Sequence, residues 1–228
     1  MFNKPKSLIV GSTGLIGRLL LKDLDIFDEP IVLISRKANH HLPKNASEII
    51  INFDDLISSN FEFKEKIDHV YLCLGKKLLT YELGYMPFEN RETFKKIDFD
   101  YPLAVAKLAF RNGARSIALV SAVGAKVNSS NYYFHIKGKL ETAIKEIGYE
   151  SICIAQPGHL LGKRSDFRGY EIPFLETALS ISGPIMQGPF KNFRQVEAKK
   201  VARAMIRELR NNHRRVKILR YEDFQNNI

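Results

Sequence analysis

The chain has 228 residues, of which 45% are hydrophobic and 26% are charged, and its formal net charge is +10. This length suits one domain with a sizeable core, so a disordered or collagen-like protein is excluded. The two cysteines, Cys73 and Cys153, lie inside apolar runs, which excludes a disulfide framework and a zinc cluster and indicates buried thiols in a reducing compartment.

Short apolar runs rich in Val and Ile alternate with longer amphipathic patterns along nearly the whole chain. This alternation predicts an α/β fold, a Rossmann-type doubly wound parallel sheet in a single domain over residues 1–228. The predicted strands are residues 7–10, 31–35, 48–52, 69–74, 116–121, 151–156 and 216–220. The predicted helices are residues 15–24, 55–66, 91–112, 130–147, a segment around 170–182, and 195–211.

A glycine-rich run follows the first strand at once and opens into the first helix. In the pattern Gly-x-x-Gly-x-x-Gly, the first glycine permits a tight turn, the second a close approach of a pyrophosphate, and the third close packing of the helix on the sheet. The free N–H groups at the helix N-terminus then face the anion. We expect a dinucleotide to be bound by Gly11, Ser12, Thr13, Gly14, Leu15, Ile16 and Gly17.

The residues after the second and third strands indicate which dinucleotide is bound. An acidic residue at the end of the second strand would accept a hydrogen bond from the ribose 2′-OH of NAD, but this chain has Arg36 and Lys37 there. A guanidinium pairs well with a 2′-phosphate, so we expect NADP(H) to be preferred over NAD(H). Asp54, just after the third strand, is placed to meet the adenine or to cap a helix.

The fifth strand and the helix after it carry three candidate catalytic residues, Ser121, Tyr133 and Lys137. A spacing of four places Tyr133 and Lys137 on one helix face. A cation beside a phenol favours the phenolate and draws its pKa toward working pH, and the cation could also bind the cofactor ribose. Ser121 ends its strand at the carboxyl edge of the sheet, where its hydroxyl could hold a substrate carbonyl.

The last third of the chain differs in composition from the rest. Residues 158–193 are rich in Gly and Pro, and we expect this insertion to cover a small-molecule substrate. From residue 191 onward the net charge is +7, but the charges alternate with apolar residues at helical spacing. This pattern indicates the solvent-exposed face of an amphipathic helix. We therefore do not expect nucleic-acid binding, and the adjacent His40 and His41 lack further ligands for a metal site.

In order and placement, these motifs resemble the short-chain dehydrogenase/reductase superfamily. The chain is similar in particular to its small atypical members, the group of the Tat-interacting protein and its bacterial counterparts. The stretches that carry this closer resemblance are residues 11–17, 73–75, 120–125, 133–138, 156–158 and 160–164. The resemblance implies that Leu74 and Gly75 line the cofactor ribose, and that a segment passes beside the nicotinamide through Pro157, Gly158 and Leu160.

One position departs from the pattern of that superfamily. Where many relatives have an Asn that supports a proton relay, this chain has Asp98. An acid there could replace the relay or abolish it. The resemblance thus implies an NADP(H)-dependent oxidoreductase in which Tyr133 is the general acid/base. The alternative is an NADPH-binding regulatory protein with little turnover that controls a protein partner.

Two expectations concern the location of the protein. The longest uncharged apolar stretches, such as residues 117–125, are shorter than the roughly 18 residues that a membrane-spanning helix needs. The first strand begins so near Met1 that it leaves no room for a targeting peptide. From these two observations we expect a cytoplasmic protein without a membrane span.

Overall fold

The computed structural model describes residues 4–39, 41–58, 61–162, 188–211 and 214–225. Its main feature is a sheet of seven strands that all pair in parallel. In chain order the strands are β1 (Ser7–Val10), β2 (Ile31–Ser35), β3 (Ala46–Ile50), β4 (His69–Leu72), β5 (Ser116–Val120), β6 (Ser151–Ala155), β7 (Leu160–Leu161), β8 (Val196–Glu197) and β9 (Val216–Leu219). The large sheet has the order β3-β2-β1-β4-β5-β6-β9, and β7 pairs with β8 in a small second sheet.

Helices cover both faces of the sheet. They are α1 (Leu15–Ile26), α2 (Phe53–Ser58), α3 (Thr80–Gly84), α4 (Phe88–Lys95), α5 (Tyr101–Arg111), α6 (Tyr132–Ile147), α7 (Ala198–Arg210) and α8 (Tyr221–Gln225), with a 3-10 helix at Gly188–Phe193. A π-helical turn, Lys96–Asp100, joins α4 to α5. The expected Rossmann-type doubly wound sheet is confirmed.

Two apolar layers hold this arrangement together, one on each face of the sheet. On one face the strands pack against α2, α5 and α6, with Val105 and Ile144 fully buried. On the other face they pack against α1 and α7, with Leu20 and Val201 fully buried. Burial on both faces explains why β1, β2, β4 and β6 read as nearly continuous apolar runs.

Within the described residues each predicted element has an observed counterpart, but several boundaries differ. Strand β3 begins two residues before the predicted start because Ala46 pairs with Ile31 of β2. Helix α2 ends at Ser58, although the pattern predicted a helix over 55–66. The predicted helix over 91–112 is divided into α4, the π-turn and α5. The expected helix around 170–182 lies outside the described residues, as does most of the expected covering insertion 158–193.

Candidate cofactor-binding and catalytic site

The glycine-rich turn lies between β1 and α1, as the sequence predicted. Gly11 has a φ of +87°, a backbone conformation that would be strained in a residue with a side chain. The turn is closed by a hydrogen bond of 3.0 Å from the Gly14 N–H to the Gly11 carbonyl. A Cβ on Gly17 would lie 2.8 Å from the carbonyl carbon of Gly11 and closer still to its oxygen. The backbone of this turn therefore lies against the first turn of α1.

The other residues of the run divide by exposure. Thr13 and Gly14 are exposed and Leu15 is partly exposed, whereas Ser12 and Ile16 are buried. The exposed part is thus the tip of the turn, which is where the pyrophosphate of a dinucleotide would lie.

The end of β2 presents the basic residues that were expected to select the cofactor. Arg36 and Lys37 are both exposed, and the Arg36 guanidinium lies 6.0 Å from the centre of the Phe53 ring. A polar cluster lies beside them: Asn39 donates through its amide to Ser12 and to Ser35, each at 3.4 Å, and also to Glu48. This cluster connects the glycine turn to the end of β2 and to the middle of β3.

Asp54 lies inside the first turn of α2, where it accepts hydrogen bonds from Tyr101 at 2.9 Å and from Lys96 at 3.1 Å. These two bonds hold the pKa of the Asp54 carboxyl below its usual value, and the bond from Lys96 has the larger effect. The Asn52 side chain precedes the helix and accepts the Asp54 N–H at 3.2 Å. The alternative that Asp54 itself caps the helix is therefore wrong.

The centre of the candidate site is a buried ion pair. The Lys137 ammonium lies 2.7 Å from Asp98, and the two side chains are only 7% and 2% exposed. Asp98 also accepts the backbone N–H of Lys76 at 2.7 Å, directly after Gly75. Asp98 thus connects α6, through Lys137, to the loop that follows β4.

The charge of Lys137 is maintained despite its burial. Loss of solvation alone would lower the pKa of Lys137, but the Asp98 carboxylate, assisted by Tyr133 and Glu141, raises it above the ordinary lysine value. Lys137 therefore carries its proton throughout the neutral range, and the negative charge of Asp98 partly neutralises its positive charge.

Ser121 directly follows β5; its N–H donates to the Ala155 carbonyl at 2.8 Å, and its side chain is buried. The Ser121 hydroxyl donates a hydrogen bond to the carboxylate of Glu141 on α6. Gln156, at the end of β6, donates to both oxygens of the same carboxylate, at 2.9 and 3.1 Å. Ser121 is thus held by a buried polar cluster that the sequence did not predict.

Tyr133 lies one helical turn before Lys137, partly buried against an apolar cluster. Its ring centre is 5.7 Å from that of Phe94, and Met86 and Leu78 belong to the same cluster. The side of the site near Tyr133 is therefore apolar, whereas the side near Lys137 is charged.

The residues implied by resemblance lie on the loops after β4 and β6. Leu74 and Gly75 follow β4, and a Cβ on Gly75 would lie 3.5 Å from Asp98. Pro157 is buried and accepts the N–H of Val123 at 3.0 Å. Gly158 lies so close to the backbone at Phe193 that a Cβ would be 2.8 Å from it. Leu160, in β7, is partly exposed.

The sequence contained a signal for one of the residues that we missed. Glu141 is four residues after Lys137 and eight after Tyr133, so the helical spacing places all three on one face of α6. Gln156 had no such signal, because its approach to Glu141 depends on the pairing of β5 with β6.

The described residues contain no group of three or more His, Cys, Asp or Glu side chains placed to hold a metal ion. Burial raises the pKa of the Cys73 thiol to about 12 and raises that of Cys153 as well. Both thiols are therefore protonated at neutral pH, although only Cys153 is buried as expected and Cys73 is partly exposed.

Comparison with curated proteins identifies relatives along most of the chain, although no family model matches it. The protein FMP52 of Candida albicans is 28% identical over 199 residues, which are 86% of this chain and 85% of the relative. FMP52 of Meyerozyma guilliermondii is 32% identical over 173 residues, 72% of this chain and 69% of the relative. The rat protein HTATIP2 is 27% identical over 165 residues, 70% of this chain and 64% of the relative.

Solved structures show the same fold at low sequence identity. MoeE5 in complex with UDP-glucose and NAD has a TM-score of 0.67 and 13% identity, and the match covers 94% of this chain and 75% of MoeE5. The human epimerase family protein SDR39U1 with NADPH has a TM-score of 0.60 and 16% identity, with 94% and 72% covered. The fold is therefore that of NAD(P)-dependent epimerases and dehydrogenases.

The comparisons correct one expectation. The FMP52 relatives are named as mitochondrial proteins, so the cytoplasmic location expected from the sequence is wrong. That expectation depended on where the chain begins, which is a weak basis for a cellular address. Within the described part of the chain, no helix is both long and apolar enough to cross a membrane.

Proposed function

The chain belongs to the FMP52 family, within the atypical short-chain dehydrogenase/reductases, and from this premise we propose that it is an NADP(H)-dependent oxidoreductase acting on a small carbonyl or alcohol. The observation that carries the proposal is the buried, charged Lys137 on the helix face that also bears Tyr133. A charged ammonium beside a phenol is the arrangement that proton transfer by tyrosine requires.

The glycine turn fits the proposed cofactor. The close approach of Gly17 to Gly11 leaves no room for side chains, and the exposed tip of the turn opens on the N-terminus of α1. Arg36 and Lys37 are exposed at the end of β2, where a 2′-phosphate would lie, so we propose NADP(H) rather than NAD(H). The remaining contacts would come from Asp54, Leu74, Gly75, Pro157, Gly158 and Leu160. Bound NADP(H) would supply or accept the hydride.

In the proposed reaction, the residues of this chain bind the substrate and move one proton. Tyr133 donates a proton to the carbonyl oxygen in reduction, and takes it from the alcohol in oxidation. Lys137 favours the charged form of Tyr133 and binds the cofactor ribose, while Ser121 positions the oxygen of the substrate. The apolar cluster beside Tyr133 excludes water from that side of the substrate.

A substitution of the tyrosine tests this function. We expect the wild-type protein to oxidise NADPH with one or more members of a panel of aldehydes, ketones and quinones, followed by absorbance. Tyr133→Phe should lower the rate by at least about a hundredfold, the ordinary contribution of a general acid/base. Tyr132→Phe is the matched control, because its hydroxyl only donates to the Arg91 carbonyl at 3.4 Å. Undiminished activity in Tyr133→Phe would disprove the role.

The ion pair of Lys137 with Asp98 favours a second candidate function, an NADPH-dependent regulator with little turnover. In the pair Asp98 balances part of the lysine charge, which weakens the effect of Lys137 on Tyr133. This alternative predicts that NADPH binds, that no panel substrate is reduced, and that a protein partner binds with an affinity that changes with NADPH. Turnover sensitive to Tyr133→Phe would exclude it.

A further inference from the structure

A carboxylate belongs to the polar cluster that connects the glycine turn to the end of β2. It is that of Glu48 on β3, and both of its oxygens accept from Asn39, one from the backbone N–H at 2.9 Å and the other from the side-chain amide. The same amide nitrogen lies 3.4 Å from the Ser12 hydroxyl, in the glycine turn, and 3.4 Å from the Ser35 hydroxyl, at the end of β2. Asn39 thereby holds the Glu48 carboxylate close to both elements.

The two ends of this cluster correspond to two parts of the proposed cofactor. The pyrophosphate is proposed to lie at the tip of the glycine turn, and the 2′-phosphate at Arg36 and Lys37, directly after Ser35. In NADP(H) the adenosine ribose connects these two groups. Because the cluster bridges the same two elements of the protein, it lies beside the ribose and its 2′ position.

The negative charge of Glu48 is not neutralised by an ion pair with any described residue. Its side chain is partly exposed, and its hydrogen-bond donors, both from Asn39, are uncharged. A 2′-phosphate adds about 1.5 to 2 negative charges nearby at neutral pH. The repulsion between like charges decreases only in inverse proportion to their distance, so it does not require contact. The carboxylate therefore opposes a 2′-phosphate but not the uncharged 2′-hydroxyl of NAD(H).

We infer that Glu48 is a specificity-determining residue, whose carboxylate weakens the binding of the 2′-phosphate and so limits the preference for NADP(H). This inference rests on the proposed function, because it concerns the same cofactor site. The site then discriminates by the difference between the attraction of Arg36 and Lys37 and the repulsion of Glu48. NAD(H), which lacks the phosphate, is subject to neither and competes for the site.

The substitution Glu48→Gln tests the inference, because it removes the charge and nearly preserves the size of the side chain. The new amide oxygen can accept the Asn39 N–H, and the new amide nitrogen can donate to the Asn39 side chain once that amide turns its oxygen toward it. We expect NADPH to bind about threefold more tightly or better, and NADH to bind as it does to the wild type. Titration calorimetry of both cofactors at about 0.1 M salt measures the two Kd values.

Glu146→Gln is the matched control, because it removes the same charge from an exposed glutamate near the end of α6 that is remote from Tyr133. It should leave the ratio of the NADPH Kd to the NADH Kd at the wild-type value. The gain in Glu48→Gln should shrink at about 1 M salt, where screening acts over about 3 Å. A gain that persists at this salt, or that Glu146→Gln shares, overturns the inference.

The gain should also appear in the Arg36→Ala background, because the repulsion acts on the phosphate and does not need Arg36. In that background Glu48→Gln should tighten NADPH binding by the same factor as in the wild type. A gain that vanishes there would mean that Glu48 acts by competing for Arg36, and would overturn the inference.

A merely structural role for Glu48 predicts the opposite sign. Loss of its bonds to Asn39 would loosen the connection after β2 that carries Arg36, so NADPH would bind more weakly. Unchanged or weaker NADPH binding in Glu48→Gln, with NADH binding retained, therefore overturns the inference. Should this variant not fold, Glu48→Ala removes the same charge and is judged by the same outcomes.

The proposed function fails in a way that can be told apart from this inference. If the wild-type protein gives no heat with NADPH or NADH, the proposed cofactor is wrong and the inference is overturned with it. If both cofactors bind but Glu48→Gln leaves the ratio of their Kd values unchanged, only the inference is wrong. If the ratio falls as expected but no substrate is turned over, the inference holds and the oxidoreductase function does not.

Discussion

At the scale of single residues, Gly17 of the glycine turn has no space for even one added carbon atom. Gly17→Ala should force the backbone at Gly11 to move, because the new Cβ would overlap the Gly11 carbonyl. We expect a loss of about 1–3 kcal/mol in the free energy of unfolding, typical of overpacking, together with loss of NADPH binding. Urea denaturation and calorimetry measure the two effects.

Gly84→Ala is the control for this substitution, because a Cβ at Gly84 would meet nothing within 4 Å. It should leave both the stability and the NADPH affinity close to their wild-type values. If Gly17→Ala bound NADPH as tightly as Gly84→Ala, the turn would not be the site of the pyrophosphate.

Arg36 is the residue on which the proposed preference for NADP(H) depends. Its exposed guanidinium can form two hydrogen bonds with a 2′-phosphate, which NAD(H) lacks. We expect Arg36→Ala to weaken NADPH binding by about tenfold or more and to leave NADH binding unchanged. Arg115→Ala, an exposed arginine after α5 with its guanidinium over Phe110, is the control. An unchanged ratio of the two dissociation constants in Arg36→Ala would contradict the assignment.

The proposed catalytic residues differ in how far their contacts could be predicted from sequence. Tyr133 and Lys137 share a helix, and the spacing of four is enough to place them on one face. The bond from Ser121 to Glu141 joins a strand end to a helix 20 residues later, and only the packing of α6 on the sheet creates it. Local periodicity carries no information on such a contact, so the direction of that bond was not predictable.

At the scale of elements, the π-turn between α4 and α5 is the feature that places Asp98. Its wider backbone turn is typical of functional positions within helices, and here it carries the carboxylate that meets Lys137. We expect Asp98→Asn to destabilise the protein by about 3 kcal/mol, because it leaves a buried ammonium without its counter-charge. Denaturation with urea would measure the loss.

Asp100→Asn is the matched control for Asp98→Asn, since Asp100 lies in the same π-turn but pairs with Lys95, and both side chains are considerably exposed. Exposed pairs of this kind contribute at most about 1 kcal/mol. Equal losses in the two variants would mean that the turn, and not the buried pair, determines the stability.

Element boundaries show where the sequence pattern stopped being informative. The apolar pattern over 91–112 was interpreted as one helix, and the π-turn within it was not recognised, because the backbone on both sides of the turn is α-helical. Helix α3 lies in a stretch with exposed apolar residues, among them Tyr81 and Tyr85, which breaks the amphipathic pattern by which helices are recognised. The parallel, doubly wound character of the sheet followed from the alternation of strands and helices and needed no such detail.

At the scale of the whole molecule, the positive charge near the C-terminus is largely engaged within the fold. On α7, Arg203 pairs with Asp23 and Arg210 with Glu29, two buried carboxylates of the neighbouring helix α1 and the loop after it. We therefore expect no nucleic-acid binding tighter than about 100 µM at physiological salt. Fluorescence anisotropy with labelled duplex and single-stranded DNA checks this, and an affinity that falls steeply with salt would contradict it.

The stability of the whole molecule should depend on pH through His69, at the start of β4. His69 is 9% exposed, its Nδ1 has no hydrogen-bond partner, and burial holds its pKa below the ordinary value of 6.5. As the pH falls, the unfolded chain therefore takes up this proton before the folded protein does. The contribution of neutral His69 is fully present above pH 6.5 and is lost below it, by up to about 1.4 kcal/mol per pH unit.

Urea unfolding at pH 7.5, 6.5 and 5.5 would show this loss as a difference between variants. His69→Gln cannot take up the proton in either state, so its stability should decline less than that of the wild type between pH 6.5 and 5.5. His41→Gln, which changes an exposed histidine, should follow the wild-type decline. Identical declines in all three proteins would mean that protonation of His69 costs the folded state nothing, and that Glu29 and Asp68, whose charges raise the pKa of His69, compensate fully for its burial.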